Sequence, residues 1–142
     1  MLNNFLNNVS KSLKSGGRFI GTCFDGKKVF NQLIYTNNIG IPKLWTIKKL
    51  YESTSFQDND SSLGYEIEVF NESIGASIKE YLVNFDYLIE KAKEYNLQLV
   101  ELNNFSKIFE SSDKKQYGSM KEMTTELKEY SFFNNAFVFE KI

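Results

Sequence analysis

Residues able to do chemistry are few in this chain, and their scarcity narrows its possible functions. Among 142 residues there is no histidine and a single cysteine, Cys23. The commonest general base and metal ligand is therefore missing, which argues against metal-assisted hydrolysis and Ser-His nucleophilic chemistry. A lone cysteine excludes an internal disulfide and fits a reducing compartment. The carboxylate that stands out is Glu80, in the run Lys79-Glu80-Tyr81-Leu82-Val83. An ionised carboxylate makes the strong, charge-assisted class of hydrogen bond. Near the start of a helix it can equally be a solvated glutamate favoured by the helix dipole. Basic residues form loose groups: Lys11, Lys14 and Arg18, then Lys27 and Lys28, then Lys43, Lys48 and Lys49. Each can neutralise a phosphate or simply solubilise the surface. With 17 basic against 18 acidic residues there is no global field to draw in nucleic acid, so any RNA contact must be local.

The elements that must position these groups are legible from periodicity. Residues 64–105 form the organising stretch. Tyr65, Ile67 and Val69 alternate with Glu66 and Glu68, a period of two that predicts a strand with one buried face. An irregular loop follows, ending in residues 79–83. Phe85, Leu88, Ile89 and Ala92 then recur at helical spacing, with Asn84 as the cap, Lys91 and Lys93 near the end and Asn96 as a left-handed stop. Residues 97–100 begin another strand. Upstream, Leu2, Phe5, Leu6, Val9 and Leu13 mark an amphipathic helix ended by Ser15-Gly16-Gly17. Residues 18–24 carry little charge and predict a central parallel strand buried on both faces. Asp25-Gly26 turns the chain into a helix with Val29, Phe30 and Leu33 inward. Helix, turn, buried strand and helix make half of a doubly wound α/β sheet, and ligands gather at the carboxyl ends of such strands, here residues 22–26.

Residues 35–42 read as polar and turn-rich. Residues 43–51 form a strand in hairpin with 64–70, joined by a long, mobile loop over 52–62. Beyond 103 the sequence predicts a short helix over 106–110, a loop over 111–118, a helix over 119–130 and a closing strand over 136–142. At 42% hydrophobic and 15% aromatic the chain can bury a core, as one domain or part of one. No apolar run approaches the roughly 20 residues of a membrane span, and the amino terminus lacks signal-peptide order.

The segment ESIGASIKEYLVNFDYLIEKAKEYNLQLVELNNFSKIF resembles the C-terminal half of mRNA cap guanine-N7 methyltransferases, above all those of large DNA virus capping enzymes. FLNNVSKSLKSGGRFIGT, FDGKKVFNQL and SFFNNAFVFEKI fit the same pattern in the same order, so the resemblance covers nearly the whole chain. It implies the C-terminal half of a Rossmann-like class I S-adenosylmethionine-dependent methyltransferase, α/β in class. Its mixed sheet would carry strands near 18–24, 97–102 and 135–141, the last antiparallel, with a projecting β-hairpin. It also implies that Glu80 matches the glutamate that accepts from guanine N1–H and the exocyclic amine. Tyr65 and Ile67 match a strand that helps wall the cap pocket, and Tyr81 flanks the glutamate, more as a packing residue than a binding one. The cellular enzymes present an aromatic residue to the cap where this chain has Asn134, with Phe132 or Phe133 as substitutes. Guanine N7 is nucleophilic at neutral pH and the methyl donor leaves as a neutral thioether. Alignment, not acid–base catalysis, is then the main requirement.

In the resembling family the cofactor is S-adenosylmethionine, held by an early strand ending in a Gly-rich turn and by an acidic residue after the next strand. Neither occurs before residue 18. Gly16-Gly17 follows a helix instead of a strand. The expectation is a single partial domain, 1–142, that contributes the substrate side and does not methylate alone. Its partners would be the capped 5′ end of mRNA and the cofactor half or another capping-enzyme subunit, with neither membrane nor DNA involved. The alternative is a non-catalytic, methyltransferase-like subunit that stabilises a capping enzyme through an open sheet edge. Either implies a cytoplasmic place, in the host cytoplasm or a viral factory, with the virion as a further setting.

Overall fold

A computed structural model describes residues 1–111 and 123–142. Helix α1 (Leu2–Ser12) leads into strand β1 (Arg18–Phe24) and helix α2 (Gly26–Gln32). Strands β2 (Asn38–Ile41), β3 (Trp45–Lys49), β4 (Glu66–Asn71) and β5 (Ala76–Tyr81) follow. Then come helix α3 (Phe85–Lys93), strand β6 (Leu97–Asn104), helices α4 (Phe105–Ser111) and α5 (Thr125–Ser131), and strand β7 (Asn134–Lys141). No helix among the described residues is long and apolar enough to cross a membrane.

The strands divide into two sheets. One has the order β1-β7-β6, with β7 antiparallel to both neighbours, so β1 and β6 run in the same direction without touching. The other is a four-stranded antiparallel meander, β2-β3-β4-β5. The closing strand runs antiparallel as expected, and β3 pairs with β4 as the predicted hairpin does.

Each sheet has its own core. Leu6 of α1 and Phe85, Leu88 and Ala92 of α3 pack on Leu97, Phe137 and Phe139 of the first sheet. Val29, Phe30 and Leu33 of α2 pack on Trp45, Ile47, Ile67 and Val69 of the second. Phe24 and Phe133 also belong to this second core, at the join between the sheets. Local signals were accurate where they are self-contained. Asn84 caps α3 by accepting from the Tyr87 N–H at 3.1 Å, and Asn96 sits at φ 59° in the left-handed region.

Four expectations are corrected. First, β1 is neither central nor buried on both faces. It pairs with β7 alone and stands at a sheet edge, with Ile20 68% exposed. Gly21 makes room for the Phe137 ring, which lies 2.5 Å from where a Cβ would be. Second, the supposed irregular loop before residue 83 contains strand β5. All six of its residues are exposed, so no alternation betrays it. Third, the turn-rich stretch 35–42 holds β2, which closes on β3 through a turn with Lys43 at φ 71°. Fourth, the loop over 52–62 is pinned. Phe56 stacks on Phe30 at 5.4 Å, Ser62 is buried, and the Tyr65 hydroxyl donates to the Ser55 carbonyl at 2.5 Å. The last predicted helix begins at Thr125, capped by Thr124; its expected start at 119–122 and most of the 111–118 loop lie outside the described residues.

Candidate functional site

Glu80 owes its position to a turn and a ladder. Asn71 accepts from the Ser73 N–H at 2.9 Å and the Ser73 hydroxyl at 2.7 Å, and Gly75 at φ 71° completes the reversal into β5. Six cross-strand pairs then align β5 on β4, with Glu80 opposite Ile67. The Leu82 N–H donates to the Tyr65 carbonyl at 2.9 Å and extends the ladder. One residue later the chain changes sheets. Val83 forms a parallel bridge with Asp25, and the Gly26 N–H donates to the Val83 carbonyl at 2.9 Å. A Cβ on Gly26 would meet that carbonyl oxygen at 2.4 Å, so this approach requires glycine. The Glu80–Val83 run is thus the seam joining the four-stranded sheet to the end of β1.

Strand alternation puts Glu80, Ile67, Val69, Asn71 and Ile78 on one face of the second sheet, the face carrying buried Trp45 and Ile47. Ile67 and Val69 lie in the interior and Asn71 is partly buried, whereas Glu80 and Ile78 occupy the open edge strand. Partial burial pushes the Glu80 carboxyl above the usual glutamate range. Its charge is felt at Cys23 on β1 and at Tyr130 on α5. Burial first, then Glu80 and Asp25, push the Cys23 thiol up to about 12, leaving it protonated and inert at neutral pH. Tyr130 is half-buried, and burial is the main cause that raises its phenol. Its ring packs edge-on to Phe24 at 5.6 Å and tilted against Trp45 at 5.4 Å. The result is a carboxylate on an edge strand, close to the carboxyl end of β1 and able to accept from N–H donors.

Residues 2–136 match the model of the mRNA (guanine-N(7))-methyltransferase domain. The chain belongs to that family. Over 120 residues it is 35% identical to the "Probable mRNA-capping enzyme" of Acanthamoeba polyphaga mimivirus, covering 75% of this chain and 10% of that protein. Over 110 residues it is 35% identical to the mRNA cap guanine-N(7) methyltransferase of Saccharomyces cerevisiae, covering 72% of this chain and 25% of that protein. The chain therefore spans a tenth and a quarter of these relatives. The CcbJ methyltransferase from Streptomyces caelestis superposes with a TM-score of 0.47 at 14% identity, over 98% of this chain and 49% of that one.

The other residues singled out as cap-guanine contacts by resemblance to the methyltransferase family occupy varied places. Ile67 lies directly opposite Glu80 but is fully buried. Tyr65 packs among Phe30, Tyr51 and Phe56, with its hydroxyl bonded to the 52–62 loop. Tyr81 points to the opposite face from Glu80, where it lines an apolar cleft with Leu2, Leu63 and Leu88. Asn134 donates its amide to the Ser131 carbonyl at 3.1 Å, closing the end of α5. Phe133 is core, and Phe132 lies against Phe109 at 5.8 Å. The residues that sequence reasoning did not single out are Tyr130 and Asn71. No periodicity marks them, because Asn71 shares the sheet face of Glu80, and Tyr130 packs on Trp45 of that face, only through pairing of distant segments.

Three of the eight candidate basic residues, Lys27, Lys28 and Lys49, serve the fold. Lys27 bridges Asp58 at 2.8 Å and also pairs with Asp86, tying the 52–62 loop to α3. Lys28 donates to the Phe132 carbonyl at 3.2 Å, and Lys49 to the Leu33 carbonyl at 2.8 Å. Among the described residues no group of three His, Cys, Asp or Glu could hold a metal. Nor do these residues fit S-adenosylmethionine. The Gly16 N–H is bonded to the Lys141 carbonyl at 2.7 Å and the Gly17 N–H to the Lys14 carbonyl at 2.8 Å, so neither amide of the Gly-Gly turn is available. Asp25, at the end of β1, spends its carboxylate on the Lys27 N–H as the cap of α2.

Proposed function

We propose that this chain is the substrate side of an mRNA cap guanine-N7 methyltransferase, with Glu80 reading the guanine. One observation carries the reading: the carboxylate of the Glu-Tyr-Leu-Val run stands on the inner face of an edge strand, partly desolvated, at the seam beside the end of β1. Partial desolvation strengthens a charge-assisted bond to two parallel N–H donors. Guanine presents that pair on its N1–H and amino edge. Holding this edge leaves N7, on the other side of the base, free to attack a methyl group, and no side chain need remove a proton. The protein's contribution is orientation. This accords with a chain lacking histidine.

The methyl donor of such an enzyme would be S-adenosylmethionine, and its binding residues belong, in this reading, to sequence outside residues 1–142. β1 has a free edge on the side away from β7, where a further strand can pair. The capped 5′ end of mRNA is the substrate and the cofactor half the partner.

The test replaces one acceptor oxygen. Glu80→Gln, placed in the assembled enzyme, should weaken binding of GpppA-capped RNA by about ten- to a hundredfold, the equivalent of a charge-assisted bond. It should also reduce discrimination against IpppA-capped RNA, which lacks the amino group. Retention of both affinity and guanine preference would remove Glu80 from the site.

A further inference from the structure

We propose that Lys27 positions Glu80 from a distance, by clamping the helix that receives the Glu80–Val83 run to the helix that leaves β1. This rests on the cap-binding reading and adds a positioning residue to it. Lys27 lies in the first turn of α2, directly after the Gly26 approach to Val83. Its ammonium pairs with Asp58 at 2.8 Å and with Asp86 in the first turn of α3. Asp58 is held in turn by the Asn84 side-chain amide at 2.9 Å, which also donates to the Gln57 carbonyl at 3.0 Å. The same loop stacks Phe56 on Phe30 of α2. One ammonium and one loop thus fasten both sides of the Asp25–Val83 bridge, just beyond each partner.

Its location gives this cluster its effect. Helix α2 belongs to the core of the second sheet and α3 to that of the first. Among the described residues the other ion pairs join paired strands, as Arg18–Glu140 and Lys79–Glu66 do, or lie within the last turns of α3, as Lys91–Glu94 and Lys93–Glu90 do. Of these pairs, only those of Lys27 cross between the two cores. Glu80 needs such a tie because β5 is an edge strand, paired on one side with β4 and leading through Leu82 and Val83 into α3. The ladder fixes the register of Glu80, and the attachment of Val83 and α3 fixes the direction in which the strand leaves. With its side chain 39% exposed, Lys27 contributes little to stability. Its expected effect falls on the alignment of the carboxylate, to which a reaction governed by orientation is sensitive.

Lys27→Met keeps the apolar stem and removes the charge, and Lys27→Arg restores a cation. Lys93→Met, which breaks a pair inside α3, is the control. In the full chain, Lys27→Met should quicken amide exchange about two- to fivefold at Gly26 and Leu82, whose N–H groups close the two sides of the seam. Lys27→Arg should return both to the parent rate, and Lys93→Met should leave them unchanged. In the assembled enzyme, Lys27→Met should lower the preference for GpppA-capped over IpppA-capped RNA by about threefold or more, as expected of residues coupled through one network. Lys27→Arg should recover that preference. A merely structural lysine would shift the melting temperature and leave the preference alone.

Unchanged exchange in Lys27→Met overturns the clamp. Faster exchange with an unchanged guanine preference overturns the positioning role, while loss of the preference in Glu80→Gln shows that the cap reading stands. If the parent enzyme has no guanine preference, the cap reading fails and the positioning role falls with it. Should Lys27→Met not fold, Asp58→Asn combined with Asp86→Asn removes both partners of the ammonium instead. That double variant is expected to lose the preference to the same extent, and retention of it in the folded protein overturns the proposal.

Discussion

Glu80 stands opposite Ile67 on the β4–β5 ladder, a carboxylate on an open strand paired with a fully buried isoleucine. The pairing sets Glu80 beside a core residue, and its edge position leaves it exposed, with its carboxyl only partly desolvated. In the proposed reading Glu80 serves binding at a cost to stability.

That cost has a sign. Burial raises the folded-state pKa of Glu80, so folding favours its protonated form. Its favourable contribution is fully present below the ordinary glutamate pKa and is lost as pH rises through the raised value. Glu80→Gln should therefore melt at the same temperature as the parent in acid and slightly higher near neutrality. Cap affinity should move oppositely, falling as pH drops through the raised pKa. Paired thermal melts and GpppA titrations across that range check both trends; a neutral-pH loss of stability in Glu80→Gln contradicts the sign.

Gly26→Ala tests the seam. The added Cβ must displace the Val83 backbone, breaking the bond between the Gly26 N–H and the Val83 carbonyl. Overpacking of this kind costs about 1–3 kcal/mol. Urea melts should show that loss, and GpppA affinity should fall with it, because Glu80 is three residues from the displaced carbonyl.

Asn84 is 4% exposed, caps α3, and donates to the Gln57 carbonyl at 3.0 Å and to Asp58 Oδ1 at 2.9 Å. Asn84→Ala removes the cap and both loop contacts, for about 1–2 kcal/mol. Amide exchange should quicken in the first turn of α3 and in the 52–62 loop together. Faster exchange in the helix alone would show that the loop is held without Asn84.

Tyr51 presents the opposite case. Its hydroxyl is buried without a hydrogen-bond partner among the described residues, and burial pushes its pKa up to about 12. Tyr51→Phe relieves the unmet hydroxyl and keeps the ring stack on Phe30. Stability by urea melt should hold or rise by up to about 1 kcal/mol; a clear loss would reveal a partner for the hydroxyl.

What the sequence determined by itself is whatever a short window contains. The α3 face of Phe85, Leu88 and Ala92, its Asn84 cap and its Asn96 stop are set by contacts within a dozen residues, and the structure keeps all of them. The alternation of Ile67 and Val69 marks β4 because one face is buried. The next strand, β5, lacks that signal because both its faces meet solvent, so the strand bearing Glu80 read as a loop. For β1, the low charge of residues 18–24 predicted burial on both faces, but burial depends on neighbours, and β1 has only β7 beside it. The identity of Glu80 was legible through the Glu-Tyr-Leu-Val run. Its surroundings were not. Phe24, Trp45, Tyr130 and Phe133 are brought together by two sheets closing on a shared aromatic core, and side-chain contacts between segments so distant in sequence leave no periodic trace in the chain.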